Sequence, residues 1–495
     1  MHSDTSEDVM MQVNELKISL VVLIAAGTVL IMTGGCMVGP DYHPPEPSAP
    51  AVWAGVENGP NRHPSTVTAN PVRLTAWWEQ FKDPILNELI TDAVKANLDL
   101  KMAEARLRQA RAMLGIARGG MWPSVAVSGS YQRSHIAGIT PANESENLYM
   151  SGLDAVWELD VFGGIRRNIE ANKAGVQAAI QTIQDVQVTL LAEVALDYIQ
   201  LRGYQQEIVV AQDNLKAQQH TAEITRKLYA VGFDSALDVA NAEAQVATTE
   251  SQIPVFETGA RQSIYALSVL LARPPADLLD KLSPTGNLPA APAEIPAGLP
   301  SEMLRRRPDI RAAEEQLHSA TSQIGVAVAQ LFPAFSLTGS VNWNSNLLQT
   351  WWSSASRSYS VGPQVTWPIF QGGALVSNVR LQEALRDQSF ITYQQTVLAA
   401  FQEVENALIA FTKEQDHHKS LADAVAANRK AVDLSIQLYS EGQVDFLNVL
   451  QAQLNLDAAE NSLVQSKGNI IIDVIAIYKA LGGGWESETA HAAAE

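Results

Sequence analysis

Residues 103–130 read AEARLRQARAMLGIARGGMWPSVAVSGS, and residues 313–340 read AEEQLHSATSQIGVAVAQLFPAFSLTGS, 210 positions later. Glu104 aligns with Glu314, Leu107 with Leu317, Pro123 with Pro333 and Gly129 with Gly339. The register carries on to Trp157 and Trp367, to Leu228-Tyr229 and Leu438-Tyr439, and to Gly232 and Gly442. The chain is therefore two copies of one supersecondary unit. Its function must be compatible with two equivalent halves, which argues against an enzyme with one distinguished site.

Each copy switches period at its proline. Before Pro123 and Pro333 the apolar spacing is helical; after them it alternates. Phe335, Leu337, Val341 and Trp343 alternate with Ser336, Thr338, Ser340 and Asn342, and Leu153, Ala155, Trp157, Leu159 and Val161 stand opposite Asp154, Glu158 and Asp160. Strands are predicted at about 124–135 and 153–162, and again at about 334–344 and 360–370, each pair joined by a polar loop. Strands of about ten residues tilted near 45° match a bilayer. A half-buried hairpin of a soluble protein has the same pattern, and Pro363 and Pro368 are awkward inside a paired strand.

Long proline-free stretches follow, 142–253 and 369–495. The first predicts a helix from Gly164 to about Tyr229, roughly 100 Å at 1.5 Å per residue. Helices of that length suit coiled coils and tunnels rather than a compact domain. Gly232 and Gly442 mark turns, and VGFDSALDV and EGQVDFLNV lead into return helices, the first interrupted by Pro254. Four strands cannot close a barrel alone and lipid tolerates no open edge, so the chain must oligomerise.

The N-terminus carries an apolar run, Ile18 to Met32, followed by Gly34-Gly35 and the single cysteine, Cys36. This layout predicts a signal peptide over 1–35 and resembles a bacterial lipobox, with Cys36 acylated as the mature N-terminus. Residues 36–76 read as a proline-rich, lipid-anchored tether, 274–301 as a proline-rich linker between repeats 77–273 and 302–485, and 486–495 as a tail. The net charge of −19 disfavours nucleic acid and anionic surfaces. No Walker loop, GxSxG, HExxH or spaced Cys/His cluster is present, so neither a cofactor, a metal nor catalysis is expected. Arg305-Arg306-Arg307-Pro308-Asp309 reads as a charged helix start, and His417-His418 as solvated surface.

EMLRRRPDIRAAEEQLHSATSQIGVAVAQLFPAFSLTG (302–339) resembles the signature stretch of the TolC-like outer-membrane factors, in the NodT-type lipoprotein branch that serves RND pumps. WWEQFKDPILNELI (77–90), WELDVFGG (157–164), VLLARPP (269–275), WPIFQGG (367–373) and YKALGGGW (478–485) extend the likeness in order along the chain. The resemblance implies a mainly α fold with a small β part: two tandem repeats forming helical tunnel segments, plus four membrane strands per chain. It further implies a homotrimer with a barrel of about 12 strands, set in outer-membrane lipid. Its partners would be a periplasmic adaptor and an inner-membrane RND transporter. The function implied is the passive exit channel of a tripartite drug-efflux pump. An exit duct for ABC-driven protein secretion, or a structural periplasmic lipoprotein, are the alternatives.

In this setting Tyr229, Asp234, Asp238, Tyr439, Glu441 and Asp445 are gate candidates, and Gly232 and Gly442 mark the adaptor-docking turns. Asp154, Glu158 and Asp160 would line the lumen and favour cations. The positions that carry gate aspartates in TolC itself are Asn448 and Gln451 here.

Overall fold

The computed structural model describes residues 37–46, 49–54, 65–68, 74–135 and 145–486. The proposed signal peptide, Cys36 and all but the first residue of the tail lie outside the described residues. In chain order the elements are β1 (Thr66–Thr68), α1 (Pro84–Ala96), α2 (Leu98–Gly119), β2 (Ser124–Ser134), β3 (Glu146–Leu159), α3 (Gly164–Ala230) and α4 (Ala236–Leu270). There follow α5 (Leu279–Leu282), β4 (Glu294–Pro296), α6 (Pro300–Arg306), α7 (Pro308–Ala329), β5 (Ala334–Ser345), β6 (Arg357–Thr366), α8 (Ala374–Ser440) and α9 (Phe446–Ala480). The repeat is reproduced residue for residue in the helices: α3 and α8 each have 67 residues, α4 and α9 each 35.

Two compact units form, and each draws on both repeats. One comprises Met1–Pro45, Leu107–Ala178 and Ala313–Tyr393; the other comprises Glu46–Arg106, Ala179–Ala312 and Gln394–Glu495.

The first unit contains an antiparallel sheet in the order β2-β3-β5-β6. Its central pair joins the two repeats, with Leu153 opposite Val341 and Trp157 opposite Leu337. β3 begins earlier than its expected 153, because Glu146–Gly152 pairs with Ser128–Ser134. It ends at Leu159, where Val161 N–H turns back to Leu159 O at 2.7 Å. β6 ends at Thr366 rather than 370, so Trp367-Pro368 lies outside the ladder. Pro363 falls in an edge strand, where a missing N–H is tolerated.

The second unit has an aromatic core. Trp77 stacks on Tyr478 with ring centroids 5.2 Å apart, and Trp78 and Phe81 meet Trp77 edge-on. Two sequence expectations are corrected in this unit. Pro254 does not interrupt the return helix, because α4 runs through it. Its ring is exposed, so the carbonyl that loses its donor can be hydrated. The proline-rich stretches are also not simply a tether and a linker. Trp53 is buried against Phe401 and donates to Gly298 O at 3.1 Å, and β1 pairs in parallel with β4. Burying one indole and satisfying its N–H outweighs the freedom that so many prolines had already reduced.

Candidate functional site

The helix-to-helix turns of the two repeats are built alike and finished differently. Gly232 and Gly442 have φ of +80° and +72°, which favours glycine. Gly232 N–H bonds Tyr229 O at 3.0 Å and Phe233 N–H bonds Leu228 O at 2.9 Å; Gly442 and Gln443 repeat this on Tyr439 and Leu438 at 3.0 and 2.8 Å. Both are Schellman closures. In the second turn Phe446 is buried with Tyr439, Val449, Ala222 and Ala242, and Val444 packs against them. In the first turn the apolar residues point outward: Phe233 is 85% exposed, and Val231 and Leu237 are also open to solvent.

One contact locks the two turns together. The Tyr439 hydroxyl donates to the Asp234 carboxylate and lies 3.2 Å from Thr225 Oγ1. Burial, then the bond to Asp234, pushes the Tyr439 hydroxyl above its ordinary range, so it remains a donor. The other gate candidates are not part of this lock. Asp238 sits 2.5 Å from Ser235 Oγ in the first turn of α4, and Ser235 Oγ accepts from Asp238 N–H at 3.2 Å. Glu441 accepts from Gln437 and Gln443 at 3.2 and 2.8 Å. Asp445 occupies the N-cap of α9 without a side-chain cap bond, its carbonyl accepting from Asn448 Nδ2 at 3.3 Å, and Tyr229 is half exposed. Gln451 donates to Asn455 Oδ1 at 2.9 Å within α9.

In the sheet, the register sorts the side chains onto one mainly apolar and one mainly polar face, with Val156 an apolar residue on the polar side. Val125, Val127, Leu153, Ala155, Trp157, Leu337, Val341, Tyr359, Val361 and Val365 share one. Ser128, Asp154, Glu158, Ser336, Thr338, Ser340, Asn342, Ser360 and Gln364 share the other. Among the described residues nothing covers the apolar face fully: Val127 is 81% exposed. Aromatics bound it at both ends. Tyr131, Tyr149 and Trp351 form a chain of ring contacts at one end, with centroids 4.9 and 5.6 Å apart. At the other, Trp157 Nε1 donates to Met121 O at 2.9 Å and Trp367 Nε1 to Leu331 O at 3.0 Å, the same anchor made once in each repeat. Asp154 and Glu158 stand on the polar face, opposite Ser340 and Ser336. Asp160 does not belong to the strand: it caps α3, accepting from Ile165 and Arg166 N–H at 2.9 and 3.0 Å, and pairs with the Arg166 guanidinium.

Sequence reasoning missed a half-buried carboxylate. Asp457 on α9 accepts from Gln218 Nε2 at 2.6 Å and Gln245 Nε2 at 3.3 Å. Burial, opposed by these amides, pushes its carboxyl up to about 6. Asp197 and Asp473 are pushed to the same value, also chiefly by burial. A raised carboxyl binds its proton in the folded state before the unfolded one, so stability is gained as pH falls from about 6 towards the ordinary value of 3.8. Asp457→Asn is expected to flatten that part of the curve. The check is the helical melting temperature of variant and parent at pH 7 and pH 5: the parent should gain more on acidification, and equal gains would clear Asp457 of the effect.

Arg305-Arg306-Arg307 proves to be a structural junction. Arg306 grips Glu486 at 2.8–3.1 Å, while Arg307 is buried among Asp309, Glu403 and the Ala480 carbonyl. Among the described residues, no group of three or more His, Cys, Asp or Glu could hold a metal ion, and His417 lies 3.3 Å from Glu414. No described helix is long and apolar enough to cross a membrane.

Comparison with known proteins gives one consistent answer. The outer membrane efflux protein family matches twice, over residues 89–273 and 299–483. Nodulation protein T of Rhizobium leguminosarum bv. trifolii is 32% identical over 438 residues, covering 88% of this chain and 92% of the relative. The toluene efflux pump outer membrane protein TtgC of Pseudomonas putida is 31% identical over 479 residues, covering 95% and 97%. Among solved structures, the outer-membrane channel OprN superposes with a TM-score of 0.83 at 36% identity, over 91% of this chain and 100% of that one.

Proposed function

The chain belongs to the outer membrane efflux protein family, and from that premise we propose that it is the exit channel of a tripartite efflux pump, passively conducting small toxic compounds out of the cell. The observation that carries this is the four-stranded sheet with one exposed apolar face, one polar face and an edge strand at each side. A sheet of this kind is stable in lipid only when its edges are closed. Three copies would supply twelve strands, enough for a barrel whose polar face, with Asp154 and Glu158, surrounds the path. The repeat boundaries at 77–273 and 302–485 fit this design, each copy supplying two strands and a helical hairpin.

Energy would come from an inner-membrane transporter, reached through a periplasmic adaptor. The exposed Val231, Phe233 and Leu237 beside Gly232 fit the adaptor contact, and Gly442 marks the equivalent tip of the second repeat. Acylation of Cys36 would add a lipid anchor to the embedded sheet. The toluene-pump relative suggests organic solvents such as toluene as cargo.

Conductance of the purified protein in planar bilayers tests the proposal, together with crosslinking in intact cells and mass spectrometry of the partners. A water-filled conductance and recovery of an adaptor with a proton-driven transporter are expected. Recovery of an ABC exporter would move the reading to protein secretion, and absence of any conductance would leave a structural lipoprotein. The turn contacts give a finer expectation. Tyr439→Phe, which removes a charge-assisted hydrogen bond of about 1.5–3 kcal/mol between the turns, should raise resting conductance several-fold, and Asp234→Asn, which keeps an acceptor but loses the charge, should raise it less. Asp238→Ala and Asp445→Ala test the remaining acids of the gate set; conductance equal to the parent would remove them from it.

A further inference from the structure

The sheet and its β5–β6 connection separate their charges by face. Within residues 124–135, 145–159 and 334–366 the acids are Glu146, Asp154 and Glu158. The register puts all three on the polar face, opposite Ser134, Ser340 and Ser336. The arginines of the same segments are Arg133 and Arg357, and both fall on the apolar face, opposite Asn147 and Trp343. Both also lie towards the strand ends away from the long helices, with Val127 and Val361 nearer the middle of their strands. An arginine that faces hydrocarbon is costly at the midplane and nearly free at the headgroup boundary. The whole chain carries a net charge of −19, yet this margin of the apolar face holds arginines and no acid among its described residues.

The connection beside Arg357 leans to the same side. Residues 346–356, NLLQTWWSSAS, contain no charged side chain. Their two short helical turns, Leu348–Thr350 and Ser354–Ser356, are tied down by polar contacts. Thr350 Oγ1 lies 2.7 Å from Ser345 Oγ, Ser356 Oγ donates to Thr350 O at 2.8 Å, and Trp351 Nε1 donates to Trp343 O at 3.3 Å. The Trp351 ring meets Tyr149 at 5.6 Å and the Trp352 ring meets Trp343 at 5.3 Å. Tyr149 and Trp343 both belong to the apolar face, so the connection folds over that side of the sheet's end rather than across the polar face. Leu347, Leu348 and Trp352 are left 63, 62 and 65% exposed. Such a loop gains nothing from water, whereas the boundary between headgroups and hydrocarbon suits rings with one wet edge.

We propose that Arg357, framed by Trp343, Trp352 and Tyr359, binds the phosphate of an anionic lipid headgroup in the leaflet away from the helices. Arg133, beside Tyr131 and Tyr149, is a second such contact at the opposite edge of the sheet. The proposal rests on the reading of the sheet as membrane-embedded. Charge and continuity choose the occupant. The patch is positive, it borders the apolar face, and its rings offer surface that a free anion could not use. A guanidinium meets two phosphate oxygens through parallel N–H bonds, which an ammonium cannot copy. Trp352 and Tyr359 would cover the uncharged part of the headgroup and the first methylenes. Arg133 Nε donates to Ser145 Oγ at 2.8 Å, which steadies that side chain.

The test uses the full-length protein in phosphatidylcholine vesicles that hold equal amounts of phosphorylated and dephosphorylated lipid A. Native mass spectrometry of the extracted oligomer counts each lipid retained. The parent should favour the phosphorylated form roughly tenfold, the size expected for one charge-assisted contact. Arg357→Gln should lose most of that preference, and Arg357→Gln with Arg133→Gln all of it. Arg357→Lys should recover part. Trp352→Ala should weaken retention of both forms alike and leave the preference standing. Arg305→Gln, an exposed arginine of the other unit, should match the parent. All these side chains are exposed, and formation of heat-resistant oligomer checks that each variant folds. A parent that inserts but shows no preference would overturn the proposal, and so would a preference that survives the double substitution. Release of the lipid by an equal concentration of inorganic phosphate would reassign the site to a free anion and overturn it too. A parent that fails to enter the vesicles would instead remove the membrane reading, and this site with it.

Discussion

Arg307→Ala is expected to lower the stability of the second unit by about 3–5 kcal/mol, the cost of removing one partner from a buried ion pair. The Arg307 side chain is 9% exposed. It donates to Asp309 through Nε at 3.0 Å and Nη2 at 2.7 Å, to the Ala480 carbonyl through Nη1 at 2.7 Å, and it pairs with Glu403 at 2.8 Å. Four pieces of chain are tied by this one guanidinium: the start of α7, the end of α6, the middle of α8 and the last turn of α9. Removing it leaves the Ala480 carbonyl without its donor. It also leaves Asp309 and Asp185 facing one another, and Asp185 is already raised by burial and by Asp309 and lowered by Arg307. Gly482, φ +70°, lets the chain pass close by, since a Cβ there would stand 3.1 Å from Arg307 Cγ. Arg307→Lys should recover only part of the loss, because an ammonium cannot hold a bidentate carboxylate and a carbonyl at once. Exposed Arg305 is the control. Helical melting followed by circular dichroism decides the matter: a midpoint for Arg307→Ala equal to that of Arg305→Ala would mean the junction carries no stability.

That junction also marks the limit of what the sequence discloses. The offset of 210 residues locates helices, turns and strands, and it even implies that Trp157 and Trp367 do the same thing, since their acceptors Met121 and Leu331 are themselves 210 apart. Alternation likewise assigns Val127 and Ser128 to opposite faces. These are local signals, readable because helix and strand periods express burial directly. Contacts between distant segments have no such period. Nothing near Asp234 announces Tyr439, 205 residues on, and nothing in the proline-rich stretch before Trp77 announces that Trp53 is buried. Asp160 escapes the pattern for a related reason. Alternation continues formally past Leu159, but a carboxylate followed by Gly163-Gly164 is worth more as the cap of a long helix. Symmetry misleads as well. Both turns share glycine and Schellman geometry, yet Val231 and Phe233 are exposed where Phe446 and Val444 are packed, a difference that the aligned glycines conceal.

A charge placed on the two faces of the sheet should give opposite results, and the difference is the most direct check on where the sheet lives. Val127 and Val361 sit on the apolar face, between the aromatic rows that include Trp157 at one end and Tyr149 and Trp343 at the other. Arginine at the midplane of a membrane strand costs about 2–4 kcal/mol when it faces lipid. Val127→Arg and Val361→Arg are therefore expected to cut the yield of heat-resistant, membrane-inserted oligomer by more than tenfold, each 1.4 kcal/mol being about one factor of ten. Ser360 is the neighbour of Val361 on the opposite face, paired with Ser340, whose hydroxyl is 2.9 Å away. Ser360→Arg should insert at close to the parent yield, because its side chain would enter water rather than lipid. It should instead change ion selectivity, weakening the preference for cations that Asp154, paired with Ser340 in the same polar row, would impose. A soluble hairpin would respond differently, since an exposed face of either kind accepts arginine at little cost. Equal yields for Val127→Arg and Ser360→Arg would therefore remove the sheet from the membrane, and with it the channel.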